Sequence, residues 1–176
     1  MPSKLELSRS FIQVPAADNA EQIKQQLGEH WLPTIYSHRI RRLRTRAYRF
    51  NNSSRSRQVE IQHTLLGVEL KVGRRRLLCP DLATARYLSV FARAGCNDVA
   101  IPYDITKISL LADELESSWY RMLLLADEAS RDRSETFRTR LRGMLFAKIR
   151  TEIAAAGSGP RIPEFRPETR QRRGKF

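Results

Sequence analysis

Six arginines fall within eleven residues: Arg39, Arg41, Arg42, Arg44, Arg46 and Arg49. A guanidinium is planar, permanently charged, and offers parallel N–H donors that match phosphate oxygens. The segment 34–50 is expected to be an arginine-rich helix, with Pro33 suited to its first turn. Tyr36, Ile40, Leu43 and Ala47 would then share one face at helical spacing. Arg39, Arg42, Arg46 and Arg49, spaced three, four and three, would share a stripe about 15 Å long. No acid lies within this segment, so the stripe is expected to meet phosphates, with Tyr48 and Phe50 placed to stack on unpaired bases. A second basic group, Arg74, Arg75 and Arg76, follows Gly73 at an expected hairpin tip. A third comprises Arg161, Arg166, Arg170, Arg172 and Arg173, with Lys175 and the anchors Phe165 and Phe176 in the same tail.

Glu69 and Lys71 are two apart on an expected strand and so project from one face. The order helix, three strands, helix, strand around this acid-x-Lys pair resembles the PD-(D/E)xK nuclease superfamily, over roughly residues 20–102. The resemblance implies that Glu69 binds Mg²⁺ and that Lys71 helps to activate water. Two features depart from the pattern. Glu60 is the acid available on the preceding strand, and Pro80-Asp81 follows the acid-x-Lys pair instead of preceding it. With a hairpin turning at Leu66-Gly67, Thr64 should face Glu69 and Gln62 should face Lys71. That puts Glu60 roughly 13 Å from the rung of Glu69, so metal-dependent cleavage is not expected. His30, His38 and His63 lack metal-ligand spacing, and His63 reads as a core histidine on an apolar strand face. There is no glycine-rich phosphate loop and no nucleophile elbow, and no cofactor is expected.

The charge is segregated along the 176 residues, which carry a net +13 and a pI near 10.6. Residues 39–76 hold twelve cations against Glu60 and Glu69, whereas 77–130 hold four cations against eight acids. Residues 131–176 are basic again. Asp113, Glu114, Glu116, Asp127 and Glu128 make an acidic helix face, either solvated or receiving a basic segment of this chain or of a partner. An excess of this size repels itself, and an anionic partner relieves it. Cys79 and Cys96 are too few for a disulfide scaffold and read as buried free thiols of a reducing compartment. The N-terminus lacks an apolar signal core, and no apolar run approaches the ~20 residues that span a bilayer. A cytoplasmic protein without a membrane partner is expected.

The elements that must position these groups alternate between helical and strand periods. Residues 1–17 read as an extended or disordered arm. Asp18 or Asn19 should cap a helix to about Trp31, with Ile23, Leu27 and Trp31 on one face. Val59, Ile61, His63 and Leu65 alternate with polar residues, as do Val68, Leu70 and Val72, and 76–79 makes a third short strand. Asp81 caps a helix from Leu82 to Ala94 that buries Leu82, Ala85, Leu88, Phe91 and Ala92, and Gly95 stops it. Val99 to Ile101 is a further strand ended by Pro102. A helix capped by Asp104 or Thr106 runs to Ala129, burying Leu111, Leu115, Trp119, Met122 and Ala126. Tyr120 also reads as core. A helix capped by Ser134 turns Phe137, Leu141, Leu145 and Ile149 inward and ends by Ala156. Residues 157–176 read as a basic flexible tail. The expected architecture is a single α+β domain, 18–156: a small antiparallel meander plus one further strand, flanked by helices, with a C-terminal helical pair. The expected function is non-enzymatic binding of nucleic acid, RNA before DNA, in association with a ribonucleoprotein. An adaptor that meets an acidic protein is the alternative, and a nuclease the third reading.

Overall fold

The computed structural model describes residues 13–50 and 58–160. The arm before residue 13 and the tail beyond 160, with the five tail arginines, lie outside the described residues. The fold is α+β, with two small antiparallel sheets among helices. Helix α1 spans Ala16–Leu27, a 3₁₀ turn covers Gly28–His30, and α2 is the short run Leu32–Ile35. Strands β1 (Thr45–Arg49), β2 (Val59–Thr64), β3 (Gly67–Val72) and β4 (Arg75–Cys79) follow. Then come α3 (Leu82–Ala94), β5 (Asp98–Pro102), α4 (Ile105–Ala129) and α5 (Glu135–Ala156).

The helices of the second half begin and end where their caps require. Asp81 Oδ1 accepts the Thr84 N–H at 2.7 Å, Asp104 Oδ1 accepts the Thr106 N–H at 3.0 Å, and Ser134 Oγ accepts the Phe137 N–H at 3.2 Å. Each satisfies a first-turn donor that has no partner inside its helix. Gly95 ends α3 at φ 80°, and the Cys96 N–H turns back to the Phe91 carbonyl, a left-handed stop that a side chain resists. The departures from the expected burial are single side chains: Leu82 and Tyr120 stand exposed, and Phe137 is only half-buried.

The first half departs more. Helix α1 begins at Ala16, behind Pro15, so Asp18 sits in its first turn and Asn19 is buried. It stops at Leu27. Trp31 belongs to the next turn, where its Nε1 donates to Glu152 Oε2 at 3.0 Å. Lys24 Nζ reaches the other oxygen of that carboxylate at 2.7 Å, tying α1 to α5.

The arginine-rich helix 34–50 does not form. Helix α2 passes into a π-helical turn, Tyr36–Ile40, closed by the Arg41 N–H on the Tyr36 carbonyl. The chain then crosses to β1. Two forces outweigh the helical spacing. The β5 backbone is buried at Val99 to Ile101 and must find partners for its N–H and C=O groups. Thr45, Tyr48 and Phe50 favour a pleated, half-buried surface. β1 therefore pairs antiparallel with β5, Ala47 opposite Ala100 and Arg46 opposite Ile101.

The other edge of β1 faces the end of α5. The Ala47 N–H donates to the Pro160 carbonyl at 3.2 Å. Gly159 has φ 87°, and a Cβ there would meet Thr45 Oγ1 at 3.0 Å and Arg41 Nη1 at 3.1 Å. Close approach and backbone sign both call for glycine at this position.

The β2-β3-β4 meander puts Leu70, Val72 and Cys79 on its buried face, and α3 packs against this sheet and against α4. The core continues between α1, α4 and α5 through Leu115, Met122, Leu141, Leu145 and Ile149. Trp119 is buried and stacked on Phe146 with centroids 5.0 Å apart, while its neighbour Tyr120 is exposed. Both cysteines are buried and unpaired, and burial pushes the Cys96 thiol up to about 12. Among the described residues, no helix is long and apolar enough to cross a membrane.

Candidate nucleic-acid interface

Breaking the expected helix at Arg41 scatters its arginines over three kinds of backbone. Arg39 leaves the π-helical turn and forms an ion pair with Glu114 of α4. Arg41 is turned inward, its Nε donating to the Ala156 carbonyl at 3.0 Å and its Nη1 to Thr45 Oγ1 at 3.1 Å. It fastens the end of α5 to β1. Arg49 lies on β1 and pairs with Asp98 on β5 at 3.1 Å. Arg42, Arg44 and Arg46 are exposed or nearly so and have no acidic partner among the described residues. The single stripe of Arg39, Arg42, Arg46 and Arg49 is therefore not present. Two of its members are already paired, and the other two stand on different elements.

Arg44 lies over the ring of Tyr103, its guanidinium carbon 5.2 Å from the centroid. Tyr103 is half exposed at the end of β5, and its N–H donates to the Arg44 carbonyl. This exposed Arg–Tyr pair has no signal in the sequence, because it depends on the antiparallel pairing of β1 with β5. Tyr48, on the same strand as Arg46, packs edge-on against buried Phe50 with centroids 5.1 Å apart. Burial raises the Tyr48 hydroxyl above the ordinary tyrosine range. Tyr48 and Phe50 are thus partly or wholly enclosed, whereas Tyr103 is exposed beside Arg44.

Of the three arginines expected at the hairpin tip, Arg74 lies in the turn, while Arg75 and Arg76 open β4. Gly73 and Arg74 form the β3–β4 turn, and Arg74, Arg75 and Arg76 are all exposed and without an acidic partner among the described residues. Arg76 stands opposite Lys71 and Arg75 opposite Val72, so Arg76 joins the polar face of the meander.

The acidic face of α4 is largely occupied by this chain. Besides Arg39 on Glu114, Arg86 of α3 reaches Asp113 at 2.5 Å and Glu116 at 2.8 Å, and Arg142 of α5 reaches Asp127 at 2.7 Å. Those bonds hold Arg86 above even the ordinary arginine range. The acids that sequence alone offers as counterions to the 39–76 arginines are taken mainly by other arginines.

No family model, curated protein or solved structure matches this chain.

The acid-x-Lys pair lies in a different register from the expected one. Thr64 faces Gly67, Gln62 faces Glu69, and Glu60 faces Lys71. Glu60 and Glu69 are therefore diagonal neighbours, about 7–8 Å apart, and the 13 Å separation is withdrawn. The turn keeps two residues but falls at Leu65-Leu66 in place of Leu66-Gly67, which moves the pairing by two residues. Across the sheet, Glu60, Lys71 and Arg76 form one row, and Gln62, Glu69 and Leu78 the next. One buried oxygen of Glu69 has no hydrogen-bond partner. Two cations stand in the row beside it, and the described residues contain no group of three His, Cys, Asp or Glu side chains suited to a metal. His63 is exposed at the end of β2 instead of lying in the core. Millimolar Mg²⁺ or Mn²⁺ is accordingly expected to leave the melting temperature unchanged, since a bound ion would raise it by mass action. Metal-dependent cleavage of RNA or DNA that disappears in both Glu69→Ala and Lys71→Ala would instead establish a nuclease.

Proposed function

We propose that this chain binds nucleic acid without cutting it, through phosphate contacts from Arg44 and Arg46 beside one sheet and from Arg74, Arg75 and Arg76 at the tip of the other. The observation that carries the reading is that these five guanidiniums are exposed and lack acidic partners among the described residues, while Asp113, Glu114, Glu116 and Asp127 of α4 are bonded to Arg39, Arg86 and Arg142. Positive charge left unpaired beside satisfied acids favours an external polyanion. Single-stranded RNA is favoured over duplex DNA. Arg44 resting on exposed Tyr103 offers a planar surface to an unstacked base, and a duplex hides its bases from such a surface.

Fluorescence anisotropy with a labelled RNA 20-mer and a duplex DNA of equal length tests this. Both should bind, the RNA more tightly, and two unrelated RNA sequences should bind alike. Failure of either nucleic acid to bind, with an acidic protein captured in its place, would support the adaptor reading.

A chain stopped after Pro160 keeps Pro160 and its bond to Ala47 while removing Arg161, Arg166, Arg170, Arg172, Arg173 and Lys175. Its affinity for the same RNA is expected to fall, with a shallower salt dependence. An unchanged Kd and slope would confine the interface to the body.

A further inference from the structure

Between the π-helical turn and α4 lies a cleft of about 570 Å³ that the phosphate-contacting arginines do not enter. From the geometry of this cleft we infer a binding site for a small phosphate monoester, held between Arg42 on one wall and Arg121 on the other. Neither guanidinium has an acidic partner among the described residues, and both line the cleft. Three acids share the cleft, Glu29, Asp113 and Glu114, and ion pairs with arginines of this chain neutralise two of them. Asp113 is bonded to Arg86 on α3, and Glu114 to Arg39 across the opening. His30 and His38 add two imidazoles, each able to donate an N–H in either protonation state. Two forks and two ring donors suit a tetrahedral dianion, whose oxygens accept from several directions.

The walls are fixed by the fold. Buried Ser118 donates to the His30 carbonyl at 2.5 Å, clamping the 3₁₀ turn onto α4. Tyr36 and Ile40, four apart in the π-helical turn, are both buried, while His38 and Arg39 are exposed and line the cleft. Such turns cost regular hydrogen bonding and occur often at functional sites. A phosphate fills only part of the volume. The rest, beside Thr34 and Ile35, leaves room for a sugar or a base, within the usual range for ligand pockets.

The site is independent of the nucleic-acid reading, because Arg44, Arg46 and the hairpin arginines do not line the cleft. Calorimetric titration of the full chain with AMP and ribose 5-phosphate, against adenosine and ribose, tests it. At least one phosphate ester should bind with a Kd below about 1 mM, and neither unphosphorylated compound should. Arg42→Gln and Arg121→Gln should each weaken binding at least about fivefold with melting temperatures unchanged, whereas Arg140→Gln should leave it alone. A 5′-phosphorylated RNA hexamer compared with its 5′-hydroxyl form identifies the source. Tighter binding than AMP, dependent on Arg121, assigns the site to a nucleic-acid end, and weaker binding assigns it to a free ester. No binding of either ester, equal binding of adenosine and AMP, or wild-type affinity in both cleft variants would overturn the inference.

Discussion

Tyr36→Phe is expected to lower the melting temperature by about 4–8 °C, a large effect for the loss of one oxygen. The Tyr36 ring is fully buried. Its hydroxyl donates to the Gly157 carbonyl at 2.6 Å and accepts the Ala100 N–H at 2.9 Å. It therefore joins the π-helical turn, β5 and the end of α5 at one atom. Burial holds its pKa above the ordinary tyrosine value, so it stays a neutral donor at any pH the fold tolerates. Removing the oxygen leaves a buried N–H without a partner, at a cost of about 1–3 kcal/mol. In a body of this size each kcal/mol shifts the midpoint by about 2–4 °C. Tyr36→Ala adds the loss of the ring, which packs edge-on against Phe91 at 5.6 Å, and should cost about 3–5 kcal/mol. Thermal melts followed by circular dichroism check both. A Tyr36→Phe midpoint within about 2 °C of wild type would mean that the Ala100 N–H finds another partner and that Tyr36 does not hold these elements together.

The second large effect concerns affinity. Replacing Arg44, Arg46, Arg74, Arg75 and Arg76 together by Gln is expected to weaken RNA binding by about a hundredfold or more at 0.15 M salt. Each contact to a single strand releases about 0.7 of a counterion, which is worth roughly fourfold in affinity at that salt concentration. Five contacts compound to several hundredfold, and three still exceed tenfold. The five side chains are exposed and make no ion pair among the described residues, so their replacement should leave the melting temperature close to wild type. Titration of labelled RNA checks it. An affinity within about twofold of wild type, in a folded variant, would remove these arginines from the interface.

The second half of the chain was legible because its local signals agree with one another. Asp81 and Gly95 bracket α3, Asp104 opens α4, and Ser134 opens α5. Each signal acts within a turn of the residue that carries it. The segment 34–50 misled because its apolar spacing is equally compatible with a helix, and what decides it is far away in sequence. β5 needs a partner strand, and nothing near Thr45 announces a requirement at Ala100. The hairpin register slipped for a smaller reason: alternation fixes which face a residue takes, but only the place of the turn fixes which residue it meets. Exposure of the Arg74–Arg76 tip followed directly from Gly73. The Arg44–Tyr103 pair and the Arg42–Arg121 cleft did not, since each joins side chains more than fifty residues apart.

The salt dependence of RNA binding by the full chain bears most directly on the phosphate-contact account. Kd is measured from about 0.05 to 0.3 M KCl on two RNAs of unrelated sequence. Phosphate contacts from the five arginines predict a plot of log K against log salt with a slope near −3.5 or steeper, the same for both sequences, and shallower by about that amount in the five-arginine variant. A flat plot for the wild-type chain, or a slope that the five substitutions leave unchanged, would contradict the account.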